Sequence, residues 1–153
     1  MLARDIMNKN VITVREDATV EEAARILTEN KISGAPVVNA EGKMVGIVTE
    51  GDLLHKETNP RAPVFLNILG AIIYLSGVER YREDFKKLAA LKVSDIMTGR
   101  VITAGGDTEI EQVAALMVNH NIKRVPVVEN EKLAGIISRA DIVRTLARGF
   151  EKQ

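Results

Sequence analysis

The sequence has no cysteine. That excludes disulfides, cysteine-ligated zinc and thiol nucleophiles, and it permits a reducing compartment. Aromatic residues are only 3% of the chain while hydrophobic residues are 46%, so a core has to be packed from Ile, Val, Leu, Ala and Met. Net charge is missing too: 21 basic residues balance 21 acidic ones. No global field draws the chain toward nucleic acid or a membrane surface. The histidines are His55 and His120 alone, and neither belongs to a metal cluster or a nucleophile–base pair. There is no GxxxxGK[ST] loop to mark a nucleotide hydrolase. The first ten residues, MLARDIMNKN, lack the apolar run of a signal peptide. The stretch 64–75 is apolar but broken by Asn67 and Gly70, and it falls short of the about 20 residues that a spanning helix needs. The expectation is a soluble, cytoplasmic protein that is not an enzyme, holds no metal, binds no nucleic acid and inserts in no membrane.

What the sequence does have is a repeat. Residues 46–52 read GIVTEGD and residues 135–141 read GIISRAD. A shift of 90 places Asp5-Ile6-Met7 on Asp95-Ile96-Met97, Val11-Ile12-Thr13 on Val101-Ile102-Thr103, and Pro36-Val37-Val38 on Pro126-Val127-Val128. After one extra residue in the first copy, Gly42, the shift becomes 89, and Gly46 meets Gly135 while Asp52 meets Asp141. The copies span roughly 5–54 and 95–144.

Each copy follows one grammar. VITV and VITA are short β-rich runs. Asp17-Ala18-Thr19 and Asp107-Thr108 offer N-caps, with Glu22 and Glu111 three residues beyond the threonines. Val20, Ala23, Ala24 and Leu27 then form a helical stripe that Ile110, Val113, Ala114 and Met117 repeat. APVVN and VPVVE read as strands entered through their prolines. Turns at 41–43 and 130–132 lead to a second strand, and Leu53, Leu54, Ile142 and Val143 begin a final helix. The order is β-α-β-β-α, twice, an α/β fold. Between the copies, 79–91 (ERYREDFKKLAAL) has the pattern of an amphipathic helix with charged pairs on its wet face. The expected organisation is a first repeat over 1–58, a helical connecting insertion over 59–93, and a second repeat over 94–153 with a C-terminal helix. The apolar 64–75 stretch is expected to be buried or to contact a partner chain.

These residues carry a family resemblance. DIM, VITV-x-x-D-x-T-V-x-E-A, ISGAPVV and EGKMVGIVTEGDL, with their second-copy counterparts, resemble the tandem cystathionine-β-synthase-like domain, the CBS pair or Bateman module, in its stand-alone prokaryotic form. The likeness covers about two-thirds of the chain. It implies two pseudo-twofold-related β-α-β-β-α units around a shared core, with two clefts between them. It further implies a regulatory module that requires no cofactor and binds adenosyl compounds such as AMP, ADP, ATP or S-adenosylmethionine. A homodimer and an unidentified effector protein are the implied partners. The alternative is an interaction or dimerisation scaffold that needs no ligand.

The repeated motif has chemistry suited to such a ligand. Thr49-x-x-Asp52 and Ser138-x-x-Asp141 fall where a strand ends and a helix begins. Free backbone N–H groups at a helix start favour an anionic phosphate. A carboxylate has two acceptor oxygens for the two hydroxyls of a ribose. The same pattern is also close to a capping box, which satisfies the helix terminus and nothing else, and the two roles can coexist. Carried over position by position, the resemblance implies one cleft joining Ser138, Arg139 and Asp141 to Asn8, Ile12, Thr13, Ile32, Ser33 and Pro36. The other would join Thr49 and Asp52 to Thr98, Ile102, Thr103, Ile122, Lys123, Arg124 and Pro126. Asn8 departs from the threonine common after DIM, which stands at Thr98. Arg139 in one cleft, and Lys123 with Arg124 in the other, would put positive charge near a phosphate from different walls.

Overall fold

The branched apolar runs of the two copies pair into two separate three-stranded sheets, seen in a computed structural model that describes residues 1–55, 64–68, 71–76 and 89–150. The first copy runs α1 (Ala3–Ile6), β1 (Val14–Arg15), α2 (Val20–Glu29), β2 (Gly34–Val38), β3 (Met44–Thr49) and α3 (Glu50–His55). After β4 (Val64–Ile68) and β5 (Ala71–Ser76), the second copy runs α4 (Val93–Ile96), β6 (Ala104–Gly105), α5 (Ile110–Asn119), β7 (Arg124–Glu129), β8 (Lys132–Ser138) and α6 (Arg139–Phe150). In each sheet the middle strand pairs parallel with the short first strand and antiparallel with the third. Both antiparallel ladders slip at the same place, between Val37 and Val38 and between Val127 and Val128, which marks a bulge repeated with the sequence.

The single-residue difference in length between the copies is a difference in turn chemistry. In the second copy Asn130 and Glu131 both have positive φ, 48° and 63°, and join Glu129 to Lys132 as a two-residue hairpin. In the first, Gly42 alone has positive φ (78°), and the Asn39 side chain accepts from the backbone N–H groups of Glu41 and Lys43.

Packing exchanges the ends of the two copies. One core gathers Val14, Val20, Ala23, Leu27, Ala35, Val37 and Val48 of the first copy with Val93 and Ile96 of α4. The other gathers Ile110, Val113, Met117, Val125, Val127 and Ile137 with Ala3 of α1. Hydrogen bonds follow the exchange: the Val93 N–H donates to Ala18 O at 2.8 Å, and the Ala3 N–H to Thr108 O at 2.7 Å. Each short helix is thus a lid on the other copy's core.

Four details differ from the sequence-based expectation. Of the VITV and VITA runs only the last residues, Val14 and Ala104, are strand, continuing into Arg15 and Gly105, and the residues before them lie outside the sheets. Pro36 and Pro126 lie two residues inside their strands, and β1 first pairs at Val37. Pro36 therefore precedes the parallel ladder, where a missing N–H leaves no carbonyl unserved. Thr19 caps α2 in a full capping box with Glu22, but the residue in the N-cap position of α5 is Glu109, without a side-chain bond. Thr108 instead accepts from the Gly105 N–H at 3.0 Å, tying off the preceding turn. Finally, part of the connecting segment expected to be helical is an antiparallel pair, β4 with β5, in register from Ile68↔Ala71 to Phe65↔Tyr74 and slipping before Val64↔Ser76. Val64, Phe65, Ile68, Ile72, Ile73 and Tyr74 are β-branched or aromatic, which favours a pleated surface over a helix. Of the helix expected over 79–91, residues 79–88 lie outside the described part, while Ala89 and Ala90 are helical.

Candidate functional site

Two isolated bridges fasten the copies together and define the clefts between them. Asn8 exchanges backbone hydrogen bonds with Ile136 at 2.9 and 3.0 Å, and Thr98 does the same with Ile47. The segment after each DIM is thereby stitched to the third strand of the opposite copy, beside its Ser/Thr-x-x-Asp corner.

The first cleft is a cavity of about 410 Å³ lined by Asn8, Ile12, Ile32 and Ser33 from the first copy and by Ser138 and Asp141 from the second. The second cavity, about 380 Å³, is lined by Thr49 and Asp52 from the first copy and by Thr98, Ile102, Ile122, Lys123 and Arg124 from the second. These volumes are in the range of small-molecule sites. Thr13 and Thr103 are exposed and line neither cavity, while Pro36 and Pro126 are fully buried in their sheets. Arg139 lines neither: its Nε donates to the Ile122 carbonyl at 3.0 Å.

At both corners the capping role is realised. Asp52 Oδ2 accepts from the Thr49 N–H (2.9 Å) and Thr49 Oγ1 (3.1 Å). Asp141 Oδ2 accepts from the Ser138 N–H (2.8 Å) and Ser138 Oγ (2.7 Å). The two carboxylates differ in setting. Asp52 is 6% exposed, whereas Asp141 is more open, and its Oδ1 accepts from Arg144 Nη1 at 3.1 Å. That pair is solvent-facing, and such pairs contribute little to stability.

Several lining residues carry no mark in the repeated motif. Lys31 and Asn121 follow α2 and α5 in the left-handed conformation, with φ of 52° and 50°. They end each helix in the manner of a Schellman turn, the Ile32 N–H reaching Leu27 O and the Ile122 N–H reaching Met117 O, each at 3.0 Å. The turn delivers Lys31 to the first cleft and Asn121 to the second. Their equivalence under the shift of 90 was the available signal. Arg100, Val101 and Glu50 also line the second cleft, and Asn10 and Val11 the first. Arg124 and Ser33 line both, joined by a hydrogen bond from Arg124 Nη2 to Ser33 Oγ. Burial pushes the Arg124 guanidinium below its ordinary value, and the nearby Glu50 carboxylate opposes that. Arginine stays cationic at neutral pH regardless.

Among the described residues no group of three or more His, Cys, Asp or Glu could hold a metal ion, and no helix is long and apolar enough to cross a membrane.

Comparison with known proteins places these features in context. The family model described as "CBS domain" matches residues 3–58 and again residues 93–148. An uncharacterized protein of Methanocaldococcus jannaschii is 40% identical, over 95% of this chain and 91% of its own length. The inosine-5'-monophosphate dehydrogenase of the same organism is 34% identical over 93% of this chain, which spans 23% of that enzyme. Among solved structures, the CBS domain pair of protein MJ0100 in complex with 5'-methylthioadenosine and S-adenosyl-L-methionine superposes with a TM-score of 0.70. It is 29% identical, with 97% of this chain and 98% of that one covered.

Proposed function

The chain belongs to the CBS domain family, and on that premise we propose that it is a non-catalytic regulatory module whose two clefts bind adenosyl compounds of the AMP, ADP, ATP or S-adenosylmethionine class. The observation that carries this reading is the pairing, in each cavity, of an Asp at a helix start with apolar walls from the opposite copy. A flat adenine fits between branched side chains such as Ile102 and Ile122, or Ile12 and Ile32. The carboxylate then meets the ribose hydroxyls, and the basic residues meet the phosphate. The solved relative that holds 5'-methylthioadenosine and S-adenosyl-L-methionine supports the same ligand class. Asp52 and Asp141 already cap their helices, so ligand hydroxyls would share acceptors that are partly engaged.

The module is proposed to be cytoplasmic and to act on an effector protein through ligand-dependent changes. Equilibrium dialysis with ADP tests the assignment of sites. Asp141→Ala should remove binding to the first cleft alone and Asp52→Ala binding to the second alone, with circular dichroism confirming that each variant folds. The double variant should bind no ADP, and a single variant that loses both equivalents, or neither, would contradict the assignment.

A second reading, a dimerisation scaffold without a ligand, draws on one observation. Val118 on α5 and Val143 and Leu146 on α6 are large apolar residues left exposed, Val118 at 77%. Exposed apolar side chains on two helices of one copy are candidates for a subunit contact, and a homodimer is the commonest assembly. Sedimentation with and without ADP separates the readings: a ligand-indifferent dimer with no bound nucleotide favours the scaffold.

A further inference from the structure

The two clefts are built by near-symmetric halves, but the wall between them is not symmetric. Strand pairing sets Gly34 opposite Thr49 and Arg124 opposite Ser138, so Gly34 and Arg124 hold equivalent places beside the two hydroxyls. One of these places has a long cationic side chain and the other has none. The Arg124 guanidinium crosses toward the first copy and occupies the space that a Gly34 side chain would need. A Cβ there would collide with Arg124 Nη1 and come within 2.9 Å of the Val48 carbonyl oxygen. Arg124 is held in this position by its hydrogen bond to Ser33, and both residues face both cavities. The wall therefore presents one guanidinium where twofold symmetry would supply two.

We propose that Arg124 is a phosphate-binding group shared by the two clefts, so that an anionic adenosyl nucleotide in one weakens the hold of the other on a second. This rests on the reading of the clefts as adenosyl sites. The physical reason is the shape of the group. A guanidinium carries its donors in one rigid plane, and turning that plane toward a phosphate in one cavity takes it from the other. The second phosphate then arrives near a first negative charge whose counter-ion is already engaged. Glu50, a further carboxylate lining the second cleft, adds to that repulsion. Adenosine has no phosphate to claim Arg124 and should bind the two clefts independently.

Calorimetry on the full chain tests this with ADP and adenosine. Asp52→Ala and Asp141→Ala give the affinity of each cleft alone, and independent clefts would make the unmodified protein the sum of the two. With ADP the second ligand should bind about tenfold more weakly than that sum requires, within the usual range of coupling between sites. With adenosine the sum should hold, and with ADP it should hold in Arg124→Ala protein when the single-cleft affinities are measured in the same background, from Asp52→Ala/Arg124→Ala and Asp141→Ala/Arg124→Ala. If either aspartate variant fails to fold, phosphorus NMR of the unmodified protein gives the same answer. The resonances of the first-bound ADP should move as the second cleft fills. Additive binding and unmoved resonances would overturn the shared role while leaving both clefts as adenosyl sites. A deficit that survives Arg124→Ala, or that adenosine shows equally, would also overturn it. Absence of binding by either compound would overturn the adenosyl reading itself, and this inference with it.

Discussion

Gly46 has space for a hydrogen and nothing larger. A Cβ built on it would stand 2.6 Å from Met97 Sδ and 2.8 Å from the Thr98 carbonyl oxygen, part of the bridge that joins the copies. For its counterpart Gly135 the three nearest atoms all belong to the Met7 side chain, Sδ at 2.5 Å, Cγ at 2.7 Å and Cβ at 3.0 Å. A thioether side chain can swing away, and a backbone carbonyl in a bridge cannot. Gly46→Ala should therefore destabilise the protein by about 1–3 kcal/mol, as overpacking does, and Gly135→Ala by clearly less. Denaturant titration of the two variants checks this; equal losses would mean that the bridge yields as easily as a side chain. At this scale the sequence was informative where the repeat spoke twice. The aspartates, Thr49 and Ser138 reached their cavities because a motif written twice is hard to miss. Thr13, Thr103, Pro36, Pro126 and Arg139 do not line the cavities. A motif fixes a residue's place in the chain, while the direction of its side chain depends on strand register and on competing hydrogen bonds. That Arg124 lines both cavities was beyond reach, because it depends on its side chain entering the space beside Gly34.

Among the elements, α2 and α5 look alike in sequence and start differently. Thr19 accepts from the Glu22 N–H at 3.1 Å while Glu22 Oε2 accepts from the Thr19 N–H at 2.8 Å. α5 has no such pair, since Glu109 makes no side-chain cap bond. Thr19→Ala should cost about 1 kcal/mol, the usual value of an N-cap, and Glu109→Ala should cost little. Thermal unfolding of both variants decides, and an equal shift in midpoint would contradict the asymmetry. The apolar stripes of these helices were plain from spacing alone, because a period of 3.6 residues is written in side chains. The pairing of β4 with β5 was not, since a short apolar run serves a strand or a buried helix equally and only the β-branched content leans one way. The four-residue helices α1 and α4 carry too few residues to show any period.

The molecule as a whole is two cores, each closed by a piece of the other copy. The repeat announced two units, yet no pattern in the sequence says that Ala3 packs with the second and Val93 with the first. That arrangement follows from the backbone bonds Ala3 N–H to Thr108 O and Val93 N–H to Ala18 O, which join residues far apart in sequence. Deleting residues 1–7 should therefore loosen the distant copy. Hydrogen exchange should quicken first in α5 and β8, and faster exchange confined to α2 and β3 would contradict the exchanged packing. The same crossing makes the clefts, since each draws walls from both copies.

The central claim is that these two clefts bind adenosyl compounds, and calorimetry on ligand-free protein tests it most directly. Titration with AMP, ADP, ATP and S-adenosylmethionine should show saturable binding of at least one, at up to two molecules per chain and with affinity near micromolar, about 8 kcal/mol. No heat and no saturation with any of the four would contradict the account.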